Sequence, residues 1–217
     1  MQDLTNYNTF IFDCDGVILD SNKLKISAMY CTLVELKFCD EEIDKCVNYF
    51  SNNFGKSRFH HVKQFIMEFL TVKLEDQVCV EKNILELYSE KCKLLYIKAE
   101  ITPGFIDFIS RLKGRKFVAS GSEQNELREV FKIRKLDVLF DGVFGSPTAK
   151  NTIVKNILST IPKATSLMFG DAISDLEAAK SNSIDFVAYL PYSNVVYELS
   201  EKAAVFGYKS INQWTEL

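Results

Sequence analysis

Four aspartates stand where short apolar runs stop: Asp13 and Asp15 after Thr9-Phe10-Ile11-Phe12, and Asp171 and Asp175 after Ser166-Leu167-Met168-Phe169. The first two are separated by one residue and followed by Gly16; the second two lie in the pattern Gly170-Asp171-x-x-x-Asp175. A lone Asp after a strand commonly forms a turn or caps a helix. Two such pairs at one place would do something else, because carboxylates a few ångströms apart repel and stay ionised together only where a cation compensates. An all-oxygen donor set of this kind suits a hard ion such as Mg²⁺. Ser120 and Gly121 close another apolar run, and Lys150 opens a helical segment that follows a further one. Carboxylates around a metal, with an ammonium and a hydroxyl beside them, make a receiver for phosphate.

These residues meet only if their segments share one sheet. Strands are expected at 9–12, 116–119, 143–144, 166–169 and within 184–190, and helices at 105–112, 123–131 (with Ser122 as its N-cap), 151–158 and 175–180. Strands alternating with helices imply an α/β fold, a Rossmann-like parallel sheet with helices on both faces. Ligands of such sheets bind beyond the carboxyl ends of the strands, which is where the polar residues fall. Between Asp20 and Tyr96 the pattern differs: one Gly (Gly55), no Pro, and apolar residues at helical spacing. Phe59, Val62, Phe65, Ile66, Phe69 and Leu70 mark one face, Val80, Ile84, Leu87, Tyr88, Cys92 and Leu95 another, and Leu24, Ala28, Cys31 and Leu36 a weaker one. The expected organisation is an α/β core over 1–19 and 98–217, interrupted by four helices over 20–97.

Composition narrows the classes. With 217 residues, 47% hydrophobic and 25% charged, the chain reads as a folded globular protein. Its 26 basic and 29 acidic side chains give a net charge of −3, without the basic excess of a nucleic-acid binder. No apolar stretch approaches the roughly 20 residues of a membrane helix, and Met1-Gln2-Asp3-Leu4-Thr5-Asn6 lacks the basic-then-apolar order of a signal peptide. All six cysteines lie within the first 92 residues and form no Cys-x-x-Cys, so the expectation is reduced, mostly buried thiols in a cytoplasmic protein.

Asp13-Cys14-Asp15-Gly16-Val17, Ser120, Lys150 and Gly170-Asp171-x-x-x-Asp175, in that order, resemble the four motifs of the haloacid dehalogenase-like hydrolase superfamily. The helices after the first motif resemble the four-helix cap of the subgroup containing phosphoglycolate phosphatases and β-phosphoglucomutases. The resemblance implies a Mg²⁺-dependent phosphatase acting on a small phosphorylated metabolite. Asp13 would be the nucleophile that forms an aspartyl-phosphate, and Asp15 the general acid and then the general base. Asp13, the Asp15 carbonyl and Asp171 would hold Mg²⁺, with Asp175 as a further or outer acid; Ser120, the Gly121 N–H and Lys150 would bind phosphate. Asp15 also argues against halide displacement, because the family's dehalogenases lack a carboxylate there. A phosphomutase of the same architecture is the alternative, and a non-catalytic phosphate-binding module a more distant one. In many relatives the third-motif Lys is followed closely by two prolines, whereas this chain reads Ser146-Pro147-Thr148-Ala149-Lys150, and Lys155 remains a second candidate. Ala172 stands where Ser or Thr is frequent.

The loop Asn52-Asn53-Phe54-Gly55-Lys56-Ser57-Arg58 is the candidate specificity loop, or else a solvated loop and helix start; Arg58 is preferred over Lys56 for meeting an anion because its fork binds two oxygens at once. His60 and His61, about a hundred degrees apart on a helix, are expected at the surface or an interface, with at most one facing the site. Cys14 is expected to pack, Asp20 to cap a helix or form a hinge, and Trp214 to lie in the core. The expected partner is a small phosphorylated substrate, with neither nucleic acid nor membrane, and the chain a monomer or homodimer.

Overall fold

A computed structural model describes residues 4–159, 161 and 165–217; Met1, Gln2 and Asp3, part of the N-terminal stretch read above for a leader, lie outside them. Six parallel strands form the central sheet in the order β5–β4–β1–β6–β7–β8: β1 (Thr9–Phe12), β4 (Arg115–Glu123), β5 (Gly142–Ser146), β6 (Ser166–Gly170), β7 (Asp185–Tyr189) and β8 (Lys209–Ile211). Helices α5 (Phe105–Arg111), α6 (Gln124–Ile133), α7 (Lys150–Leu158), α8 (Ile173–Ser181) and α9 (Val196–Val205) alternate with them. The chain therefore has the α/β, Rossmann-like architecture that its strand–helix alternation implies. β8 and α9 were not among the elements expected.

The apolar runs are unbroken because both sheet faces are covered. Side chains still alternate: Phe10, Phe12, Leu167 and Phe169 belong to the core on one face, and Ile11 and Met168 to the core on the other. Phe12 stacks on Phe169 with ring centroids 4.8 Å apart, and Trp214 stacks on Phe108 at 4.7 Å and Tyr189 at 4.3 Å. Burying one such ring contributes about 2–3 kcal/mol. Trp214 is a core residue, as read, and its indole N–H donates to Thr102 Oγ1, which itself donates to the Val17 carbonyl.

Four helices intervene between β1 and α5: α1 (Asn22–Glu35), α2 (Asp40–Asn52), α3 (Arg58–Gln64), continued by a π turn over Phe65–Phe69, and α4 (Gln77–Lys98). A two-stranded antiparallel ribbon, β2 (Leu19–Asp20) with β3 (Glu100–Ile101), carries the chain into and out of them. Asp20 sits in this ribbon, opposite Glu100. The α4 periodicity is met by buried Ile84, Tyr88, Cys92 and Tyr96. On α1 the expected face holds in part: Ala28 is buried and Leu36 packs against the core, but Leu24 and Cys31 are exposed, and Asn22, Lys25, Met29, Thr32 and Leu33 are buried instead. Two polar residues turn inward at its first turn because the acids of the core lie there. Among the described residues, no helix is long and apolar enough to cross a membrane.

Candidate active site

β1 is central, with β4 and β5 added on one side and β6, β7 and β8 on the other, so the order switches between β1 and β6. Crevices at such switch points, beyond the carboxyl ends of the strands, are where ligands bind. Asp13 follows β1 and Asp171 follows β6 there, and Asp175 lies in the first turn of α8. All three are buried, and one carboxylate oxygen from each lies within 4.8 Å of the others. Gly16 lets the loop after β1 pass directly against Asp171 and Asn22: its φ is +75°, and a Cβ there would come 2.3 Å from Asp171 Oδ2 and 2.5 Å from Asn22 Nδ2.

Lys150, also buried, reaches in from the start of α7, with its Nζ 2.9 Å from Asp13 Oδ1 and 2.5 Å from Asp175 Oδ1. Lys155 is exposed one and a half turns away, so Lys150 is the lysine at the site. Burial and the Asp175 charge push the Asp13 pKa up to about 7 even though Lys150 opposes them. Burial, then Asp13 and Asp175, push Asp171 well up, against the amide of Asn22, which donates to Asp171 Oδ2 at 2.6 Å. One ammonium thus faces three carboxylates.

That imbalance fits a divalent, oxygen-preferring ion. Asp13 Oδ1 is buried without a hydrogen-bond donor, because the Lys150 ammonium lies close but out of line. Asp175 is differently placed: its Oδ1 takes Lys150 and its Oδ2 accepts the Ala172 N–H at 3.0 Å. Asp13 and Asp171 are therefore the side chains best disposed to hold a metal, and Asp175 holds the lysine and the turn before α8.

Asp15 points away from this group. It accepts from Ser21 Oγ at 2.6 Å, Lys25 Nζ at 2.9 Å, Ser122 Oγ at 2.8 Å and Tyr96 OH at 2.9 Å. Burial alone would raise its pKa, but the Lys25 charge and these hydrogen bonds outweigh it and hold the carboxyl below its ordinary range. Ser122 is thus no helix N-cap; Glu123 caps α6 by accepting the Glu126 N–H. Ser120 is buried, its Oγ accepting the Ser122 N–H at 3.1 Å. Gly121 lies under the loop between α2 and α3, where a Cβ would come 2.5 Å from the Gly55 carbonyl oxygen. Asn22, Lys25, Tyr96 and Ser122 were not anticipated. For Asn22 and Lys25 the available signal was their spacing from Ala28, Met29 and Thr32, which puts them on one helix face.

Arg58 is a correction. Its guanidinium makes a two-pronged ion pair with Glu126, at 2.9 and 2.7 Å, and lies over the Tyr88 ring at 5.1 Å. Glu126 is buried in the first turn of α6 and needs a cation, so Arg58 joins helical segment to core and is not free for an anion. Lys56 turns to Asn53 Oδ1 at 2.9 Å. Cys14 is buried, as read. His60 meets Tyr49 at the surface, whereas His61 is buried against Phe50, with ring centroids 4.7 Å apart.

Burial, then the charges of His60, Lys25 and Lys56, depress the His61 pKa to about 3. An unfolded histidine takes a proton below about pH 6.5, so the stability from neutral His61 is complete above that pH and is lost as pH falls toward 3. The slope is about 1.4 kcal/mol per pH unit. Denaturation midpoints between pH 6.5 and 4.5 are accordingly expected to fall less steeply in His61→Leu than in the wild type.

Residues 7–182 match the family described as haloacid dehalogenase-like hydrolase. Comparison with curated proteins gives no match. Similar solved structures include a predicted phosphatase from Clostridium acetobutylicum (TM-score 0.74, 18% identity, covering 97% of this chain and 95% of that one). A predicted phosphoglycolate phosphatase from Haemophilus somnus overlays with TM-score 0.76 at 11% identity, covering 97% and 96%. CbbY from Rhodobacter sphaeroides in complex with phosphate does so with TM-score 0.71 at 17% identity, covering 97% and 96%. At these identities the structures establish a common fold. The sequence match, which runs over well more than half of the chain, goes further: the protein belongs to the haloacid dehalogenase-like hydrolases.

Proposed function

We propose that the protein is a Mg²⁺-dependent phosphomonoesterase that releases phosphate from a small phosphorylated metabolite, sugar phosphates among the candidates, through an aspartyl-phosphate on Asp13. The state of Asp13 supports this most directly: a buried carboxylate whose Oδ1 lies 2.9 Å from the Lys150 ammonium without a well-aligned hydrogen bond. A nucleophile needs such a lone pair. Asp13 would attack phosphorus in line, its new O–P bond forming as the bond to the leaving oxygen breaks. Released from the Lys25, Ser21, Ser122 and Tyr96 contacts that hold it ionised, and so able to take up a proton, Asp15 would give that proton to the leaving oxygen and then take one from the water that cleaves the acyl phosphate. The Ser120 hydroxyl, the Gly121 N–H and Lys150 would bind the transferring oxygens and offset their charge. When bound by Asp13, the Asp15 carbonyl and Asp171, Mg²⁺ supplies further positive charge beside those oxygens. Asp175 keeps Lys150 in place.

In this reading residues 20–97 are a cap on a core of 1–19 and 98–217, and its closure excludes water. The phosphatase names of the fold neighbours point the same way.

A panel of aryl and sugar phosphates tests the reading. Phosphate release is expected with Mg²⁺ and is expected to fall at least about tenfold in excess chelator, on the scale of a charge stabilisation of a few kcal/mol. Isomerisation of a hexose 1-phosphate without phosphate release would make the protein a mutase, and binding without turnover of any ester a phosphate-binding module.

A further inference from the structure

A cavity of about 10 Å³ lies between the cap helices and the core, walled in part by Lys25, Phe54, Arg58, His61, Tyr88 and Gly121. It runs from Gly121 and Lys25, beside Asp15, to α3 and α4, and has room for about one water. Two wall residues carry buried polar atoms without a hydrogen-bond partner: His61 Nδ1 and the Tyr88 hydroxyl, each on a residue only 1% exposed. The neighbour of that hydroxyl is the Cys92 thiol, too poorly placed for a sound bond. Folded proteins pair about nine-tenths or more of such groups, and each left unpaired costs about 1–3 kcal/mol. Two in one wall point to a partner that the chain does not itself supply.

The chemistry of that partner follows from what the wall has left to offer. Its buried cations are matched already, Lys25 by Asp15 and Arg58 by Glu126, and the exposed Lys56 turns to Asn53. The unpartnered groups are a phenol and an imidazole, and burial together with His60, Lys25 and Lys56 keeps the imidazole neutral. A hydroxyl both donates and accepts, so it suits the phenol and either tautomer of the ring. A carboxylate only accepts, and it would bring a second negative charge toward the buried Asp15, where Lys25 and Arg58 are already paired and the one unpaired cation of the wall, Lys56, is exposed.

We propose that His61 and Tyr88 form the subsite for the leaving group, and that this group is an uncharged, hydroxyl-bearing alcohol, as in a polyol or sugar phosphate, not a carboxylate-bearing one. The assignment rests on the phosphatase reading and deepens it.

The test compares kcat/KM with Mg²⁺ for glycerol 1-phosphate, 2-phosphoglycolate and p-nitrophenyl phosphate, in the wild type, Tyr88→Phe and His61→Leu. The wild type is expected to prefer glycerol 1-phosphate to 2-phosphoglycolate by about tenfold or more. In each variant the ratio of glycerol 1-phosphate to aryl phosphate turnover is expected to fall about tenfold, the effect of one lost hydrogen bond. Tyr88→Phe is also expected to melt at the same temperature as the wild type or higher, because it deletes an unpaired buried hydroxyl. A lower melting temperature with an unchanged ratio would mean that a resident water satisfies the phenol, and would overturn the assignment. So would a wild type that cleaves the aryl ester and prefers 2-phosphoglycolate. A wild type inert toward all three esters overturns the phosphatase reading itself.

Discussion

Asp13→Asn is expected to lower phosphate release from an aryl phosphate by on the order of 10⁴-fold or more, the scale on which loss of a nucleophile is felt in covalent catalysis. The amide fills the same space but has no charged lone pair with which to attack phosphorus. The fold should survive, and a physical reason makes this checkable. Asp13 is buried beside Asp175, and its pKa is pushed up to about 7 from an ordinary value near 4. A carboxyl shifted in that direction stabilises the fold fully below about pH 4 and loses that contribution as pH rises to 7 and beyond. Asparagine does not ionise, so at pH 8 without added metal the variant is expected to melt no lower than the wild type. Wild-type turnover by this variant would remove Asp13 from the role of nucleophile.

Lys150→Met should damage both activity and fold. Its ammonium is the cation that faces Asp13 and Asp175 within the buried group. Breaking such a buried arrangement from one side costs about 3–5 kcal/mol, because the remaining charges are left uncompensated. Loss of charge stabilisation on a transferring phosphoryl group adds a fall in kcat of on the order of 10²–10³-fold. The stability loss is expected to be larger at pH 8 than at pH 5, since Asp13, its pKa pushed up to about 7, is protonated at pH 5 and no longer needs the lysine. Lys155→Met, at an exposed position on the same helix, should stay near the wild type on both measures. Equal losses in the two variants would contradict the placement of Lys150.

The parts of the molecule readable from sequence are those where one residue type serves one purpose over a short span. Thr9 and three apolar residues at 10–12, followed by two acids, mark a strand covered on both faces with its carboxyl end at a site, and β1 is that strand. Ser166 to Phe169 before Gly170-Asp171 repeats the signal in β6. What escaped notice depends on partners distant in sequence. Tyr96 sits on α4, 81 residues from Asp15, and its hydroxyl reaches that carboxylate only after the whole helical segment folds back. Lys25 looks like a solvent-facing lysine until the acid it meets is known. Arg58 was read as an anion receiver because Glu126, 68 residues later, gives no local sign that it is buried and needs a cation. The ribbon of β2 and β3 is too short, at two residues a strand, to leave a periodic pattern.

The ion pair between Arg58 and Glu126 has a consequence for the working cycle. If residues 20–97 act as a closing cap, as proposed above, a substrate entering the space of about 10 Å³ beside Lys25 and Gly121 would need the cap to stand off the core, and that would separate the two charges into water. Hydration then returns part of what the contact gave. Dissolved salt screens the separated charges but hardly reaches them when they are buried. In that reading rising ionic strength would shift the balance toward the receptive form, and KM would become a reporter of how firmly this one pair holds.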